Sequence, residues 1–179
     1  RVTIDAITAA YRQPAVLPVE IDWKIQGDNY TDDDKGSFNT SGLYGERNKW
    51  YEPDFDDSHW QSVKVPDTFK ENDRWITWYR TEFDLNLPES LNAPLGLVMD
   101  GVEDPQIKAV IFVNGYLLGR YWPDKGPQTK FYLYPGILNE RGQNTVAIAV
   151  WRRSSEGGRL GPVYLEPWTV TQKYKVEFK

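Results

Sequence analysis

The 179-residue sequence predicts an all-β domain, a two-sheet antiparallel β-sandwich. Three observations carry that expectation. Side chains alternate with period two in window after window, as strands with distinct faces require. Gly, Pro, Asn and Asp clusters split those windows about every ten residues, which is the spacing of a sandwich. No window holds a sustained 3.6-residue apolar stripe, and nothing repeats at a fixed period. The length suits one domain with a full core. Aromatics make up 15% of the chain, with eight Trp and eleven Tyr, a richness that strands favour and that sugar binders share.

The stretch 107–151 is the clearest element. Asn114-Gly115 lies between two apolar β-prone runs and predicts a hairpin, because both residues tolerate positive φ. Phe131 and Leu133 alternate with Tyr132 and Tyr134. Val146, Ile148 and Val150 alternate with Ala147, Ala149 and Trp151, which reads as a half-buried strand. Upstream, residues 1–20 read as an edge strand or linker around Pro14 and Pro18, and residues 21–179 as one sandwich domain. Residues 21–25 form a short strand, and 27–45 a long polar loop. In Phe55-Asp56-Asp57-Ser58-His59-Trp60, Asp57 or Ser58 caps one helical turn, Gln61 closes a capping box and Trp60 enters the core. Val63 and Val65 begin a strand that Pro66 ends. Tyr79, Thr81, Phe83 and Leu85 share one face of the next strand, and Trp78, Arg80, Glu82 and Asp84 the other. Leu95, Leu97 and Met99 start another. Residues 154–161 are a Gly-rich loop, 163–165 a strand, and Tyr174, Val176 and Phe178 a last one.

Composition excludes several classes. Net charge is −5 with no basic stripe, against nucleic-acid binding. No apolar run is long enough to cross a bilayer as a helix. Cys is absent, so disulfides, thiolate metal sites and cysteine nucleophiles are out. Asn29-Tyr30-Thr31 and Asn39-Thr40-Ser41 are glycosylation acceptor triplets, and they fit a secreted, extracellular source. The sequence begins at Arg1 and reads as a processed or excised piece.

Several segments resemble one family. They are Val113-Asn114-Gly115, Gly119-Arg120-Tyr121-Trp122-Pro123, Gly126-Pro127-Gln128-Thr129, Gly136-Ile137-Leu138-Asn139, Arg141-Gly142 and Asn144-Thr145, with Asp22-Trp23-Lys24-Ile25-Gln26-Gly27 and Gly42-Leu43-Tyr44-Gly45-Glu46-Arg47-Asn48-Lys49-Trp50 upstream. Together they are similar to the C-terminal jelly-roll domain, of galactose-binding-like type, of fungal-type family 35 β-galactosidases. The resemblance implies a jelly roll with no catalytic residues of its own. Galactoside hydrolysis would be carried by a separate TIM-barrel domain, the implied partner. A free-standing module or lectin recognising galactosides or a plant-type polysaccharide is the alternative. The ending after Leu165 departs from the family pattern.

The chemistry on offer agrees. A TIM barrel needs about 250 residues of alternating strand and helix, more than this chain holds. A retaining glycosidase needs two carboxyls about 5 Å apart, and twenty-six acidic residues make chance pairs easy. His59 is the only histidine, which starves both a Ser-His-acid triad and a zinc site. Calcium suits loop carboxylates better, and Asp54, Asp56 and Asp57 are candidate ligands, with capping or solvated aspartates as the alternative. Two groups are candidate sugar contacts, combining aromatic platforms with polar groups: Trp50 and Tyr51 with Arg47 and Glu46, and Arg120 and Trp122 with Gln128. Core or interdomain interface is the favoured reading of both groups, with sugar contact as the alternative.

Overall fold

A computed structural model describes residues 3–4, 22–28, 42–69, 75–87, 94–100, 106–126, 128–134 and 136–168. The expected strand at 174–178, both glycosylation triplets and most of residues 1–20 lie outside the described residues. The architecture is an antiparallel jelly-roll sandwich, joined by one short parallel pair.

The larger sheet runs β3 (Gln61–Val63), β2 (Trp23–Asp28), β5 (Ile76–Asn86), β10 (Arg141–Arg152), β7 (Ile107–Val113), β8 (Tyr116–Tyr121), with β1 (Thr3–Ile4) parallel to the end of β5. Facing it are the pair β4 (Asp67–Phe69) with β11 (Gly158–Leu160) and the sheet β12 (Val163–Pro167), β6 (Leu95–Met99), β9 (Lys130–Tyr132). The core between the layers takes Tyr79, Phe83 and Leu85 of β5, Val146, Ile148 and Val150 of β10, Ile111 and Val113 of β7, and Leu97, Phe131 and Leu165 opposite. These are the residues that period two assigns to one face. The hydroxyl of Tyr79 donates to Asp67 Oδ2 at 2.8 Å and ties β5 to β4 across the sandwich.

The expected Asn-Gly hairpin forms. Asn114 and Gly115 hold φ of 49° and 85°, joining β7 to β8. Three asparagines then lock the turn to the start of β10. Asn114 Nδ2 donates to Asn144 Oδ1 at 2.8 Å and to the Ile137 carbonyl at 2.6 Å. Asn144 Nδ2 donates to the Asn139 and Gly142 carbonyls, and Asn114 Oδ1 accepts from the Thr145 N–H at 2.8 Å. The spaced Asn residues of the sequence motif are therefore one amide knot around the buried Asn144, with every polar atom of the Asn144 side chain engaged.

Three local expectations change. Residues 57–60 make a single turn without a helix, because Asp56 Oδ1 takes the Ser58 N–H while Gln61 opens β3 opposite Ile25. The short helix lies earlier, as α1 (Tyr44–Arg47), beginning at the end of the segment expected as loop. The Gly-rich loop after β10 contains β11, and the chain resumes after Pro66 as β4, its partner.

The largest difference concerns β5 and β10, which are buried on both faces. Residues 43–60 fold over the outer face of the large sheet and make a second core. It holds Leu43, Trp50, Trp60, Ile76, Trp78, Phe112, Ala147, Ala149 and Trp151. The alanines explain how. Trp78 of β5 pairs with Ala149, and Ala147 pairs with Phe112 of β7. Small side chains on the middle strand let the two rings lean across it and stack, centroids 5.8 Å apart at 18°. Replacing Ala149 with Leu is expected to cost about 1–3 kcal/mol through overpacking, and Asn144→Ala about 1–3 kcal/mol through orphaned partners. Urea unfolding midpoints at unchanged m-value measure both.

Candidate functional site

The outer cover is organised by Arg80. Its position on β5 places it over Ala147, where a small side chain leaves room for a guanidinium. It is 1% exposed. Nε donates to Asp57 Oδ2 at 3.0 Å. Nη1 donates to the carbonyls of Trp50 and of Glu52, the latter at 3.0 Å, and Nη2 reaches the Phe55 carbonyl at 3.4 Å. The Phe55 ring lies 5.4 Å from the guanidinium carbon. Residues 50–57 are thus wrapped around one cation, with hydrogen bonds available on each nitrogen.

The first expected sugar group sits inside this cover. Trp50 is 9% exposed and packs edge-on against Tyr44, Trp60 and Trp78 at 5.5, 5.1 and 5.9 Å. This corrects the expectation of an open stacking platform: its faces are spent on neighbouring rings. Glu46 is buried, and its Oε2 accepts the Leu43 N–H at 3.0 Å, closing the start of α1. Gly45 makes the close approach feasible, since a Cβ there would sit 2.5 Å from the Trp78 ring and 2.6 Å from Trp50. Tyr51 stacks on Phe112 at 4.7 Å, and burial, then the charges of Glu52 and Glu46, push its hydroxyl pKa up. Arg47 is exposed, and its Nη1 donates to the Gly42 carbonyl.

The candidate calcium ligands are also taken up locally. Asp57 holds Arg80, and Asp56 closes on Ser58, whose side-chain and backbone hydrogen bonds keep its carboxyl below the usual range. Asp54 is exposed. Among the described residues no three His, Cys, Asp or Glu side chains gather as a metal site, which corrects the grouping of these three aspartates.

The second expected group is spread over one end of the molecule. Trp122 is 36% exposed beyond β8, with Lys108 Nζ 5.8 Å and the Arg153 guanidinium 5.5 Å from its ring centre. Arg153 pairs with Asp124. Lys108 is also 5.2 Å from the Trp151 ring, and burial, then the Arg153 charge, lowers its pKa. Arg120 is exposed on β8, and Gln128 donates to the Lys130 carbonyl. Trp122 therefore belongs to a cation–aromatic cluster with Lys108, Arg153 and Asp124.

A third group escaped the sequence reading. Tyr132, Tyr134 and Trp168 meet on the outer face of β12–β6–β9, with ring centres 5.2 Å apart for the tyrosines and 6.2 Å for Tyr132 and Trp168. The alternation of Tyr132 and Tyr134 against Phe131 and Leu133 already marked them as outward. Trp168 lies far along the chain, and only the pairing of β12 with β6 and of β6 with β9 delivers it there.

With this geometry in place the fold class is clear, a predominantly antiparallel two-layer β-sandwich. Residues 44–156 match the family described as "Beta-galactosidase second all-beta domain". The chain belongs to that family. It is 37% identical over 147 residues to "Probable beta-galactosidase C" of Penicillium rubens, covering 80% of this chain and 15% of that protein. It is 32% identical over 163 residues to "Probable beta-galactosidase B" of Sclerotinia sclerotiorum, covering 88% and 16%. The chain thus spans about a sixth of the length of these relatives. A Bacteroides uniformis β-glucuronidase structure shares the fold, with TM-score 0.58 and 20% identity over 87% of this chain and 18% of that one.

Removing the Arg80 charge tests the clamp. Arg80→Met strands Asp57 and three carbonyls, and the expected loss is about 3–5 kcal/mol. Arg80→Lys is expected to recover only part of it, because one ammonium cannot reproduce the fork. Thermal unfolding of the three proteins decides.

Proposed function

We propose that this chain is a non-catalytic accessory domain of a β-galactosidase, packed beside a catalytic barrel domain that carries galactoside hydrolysis. Membership of the β-galactosidase second all-β family, at about a sixth of its relatives' length, is the observation that carries the reading. The side chains support it. Glu46 and Asp57, two carboxylates held within the outer cover, act as a helix cap and a guanidinium anchor. Two acids spent on structure do not serve as nucleophile and proton donor, roles that require an open cleft for a pyranose between them.

The domain contributes rigidity. Two cores on either side of the large sheet make a stiff block, able to hold a fixed position against a neighbouring domain. Exposed Tyr116 and Leu117, on β8 at the edge of the sheet, are the apolar surface such a neighbour would cover.

The pure chain is expected to leave a chromogenic β-galactoside unhydrolysed, while the parent enzyme containing it turns the compound over. Turnover by the chain alone that vanishes when a single carboxylate is changed to its amide contradicts the proposal.

A further inference from the structure

We infer that the outer face of the β12–β6–β9 sheet is a glycan-binding platform for a neutral, β-linked galactan chain. The choice of galactose rests on the β-galactosidase reading above, whereas the platform itself rests on geometry.

The face is built around Gly96. In the register, Gly96 stands opposite Tyr132 on one side and Glu166 on the other, while Val98 stands opposite Lys130 and Tyr164. A Cβ at Gly96 would lie 2.7 Å from Lys130 Cε and 3.0 Å from Trp168 Nε1. The missing side chain is what lets the lysine stem and the indole lie down across the sheet. Lys130 is then fixed three ways. Its Nζ is 4.4 Å from the centre of the Trp168 ring, 2.7 Å from Glu166 Oε2 and 3.3 Å from the Pro167 carbonyl. Tyr132 wedges between the two more exposed rings, edge-on to Tyr134 at 79° and to Trp168 at 78°. Tyr134 is 56% exposed and Trp168 39%.

Three properties of this arrangement select a sugar. The rings are braced before any ligand arrives, so little side-chain entropy is lost on binding. Exposed aromatic rings offer π-faces to the C–H side of a pyranose, and the tyrosine hydroxyls and the Lys130–Glu166 pair set donors and acceptors at the rim for its hydroxyls. Lys130 is balanced by Glu166, so the patch favours a neutral chain over an acidic one. Tyr134 and Trp168 stand on either side of Tyr132 as two separate ring surfaces, which favours an oligomer over a single galactose. Trp122 carries two cations near its ring, where Trp168 carries one.

Calorimetric titration of the 179-residue chain with β-1,4-galactotetraose, cellotetraose and galactose tests the inference. The expected result is saturable binding of the galactan oligomer at millimolar sugar or below, with cellotetraose and galactose weaker. Trp168→Ala and Tyr134→Ala are expected to weaken it at least about tenfold. Gly96→Ser, which forces Lys130 and Trp168 to move, is expected to weaken it as well, and circular dichroism confirms folding of each variant. Absence of binding, preference for cellotetraose, or binding that survives Trp168→Ala and Tyr134→Ala overturns the platform. So does binding abolished by Trp122→Ala alone. None of these outcomes bears on the accessory-domain reading, which stands or falls on turnover.

Discussion

One buried guanidinium decides the shape of this domain. A sandwich needs only one covered face per sheet, and the large sheet here could have left its outer face to water. Arg80 prevents that. Placed mid-strand with its charge pointing outward, it collects a carboxylate and three backbone carbonyls from residues 50–57 and draws that segment onto the sheet. Once the segment is down, Trp50, Trp60 and Phe55 close over Trp78 and Phe112. Burying an arginine is costly unless every donor finds an acceptor, and here the acceptors are main-chain groups that would otherwise face apolar rings. Each need satisfies the other.

The consequence is a molecule whose most distinctive residues serve its architecture. The spaced asparagines of the sequence motif form the knot between the β7–β8 hairpin and β10. The Gly-Leu-Tyr-Gly-Glu segment leads into the cover's short helix, with Gly45 seated against two tryptophans. A domain that spends its signature on stiffness fits a supporting part of a larger enzyme. What remains for recognition lies at the surface, where Trp122 sits among cations and the Tyr132, Tyr134 and Trp168 rings stand braced over a glycine.

Much of the fold was legible in the sequence, because period two and turn chemistry are local. The inward set of β5 and β10 and the Asn114-Gly115 hairpin follow from residue order alone. The second core was not legible. Ala147 and Ala149 look like the indifferent face of a half-buried strand, and only the two large rings on either side of them reveal their purpose. Trp50 failed as a sugar platform for a related reason. An aromatic in a polar loop reads the same whether it faces water or the underside of the loop, and the deciding partner, Arg80, is thirty residues away. Asp57 reads as a loop carboxylate for the same reason, since its partner Arg80 is on β5, far along the chain. The surface trio needed three strands to be ordered side by side before Trp168 could be placed near Tyr132.

Native-state hydrogen exchange reads the central claim most directly. The amides of Asn48 and Trp50, bonded to Tyr44 and Gly45 carbonyls within the cover, are the reporters. If the clamp makes the cover an integral core, these amides exchange only through the same global opening as Ile148 and Tyr79 on the central strands. Rapid exchange of Asn48 and Trp50 while β5 and β10 stay protected would show the cover to be a loose flap, and the account built on Arg80 would be wrong.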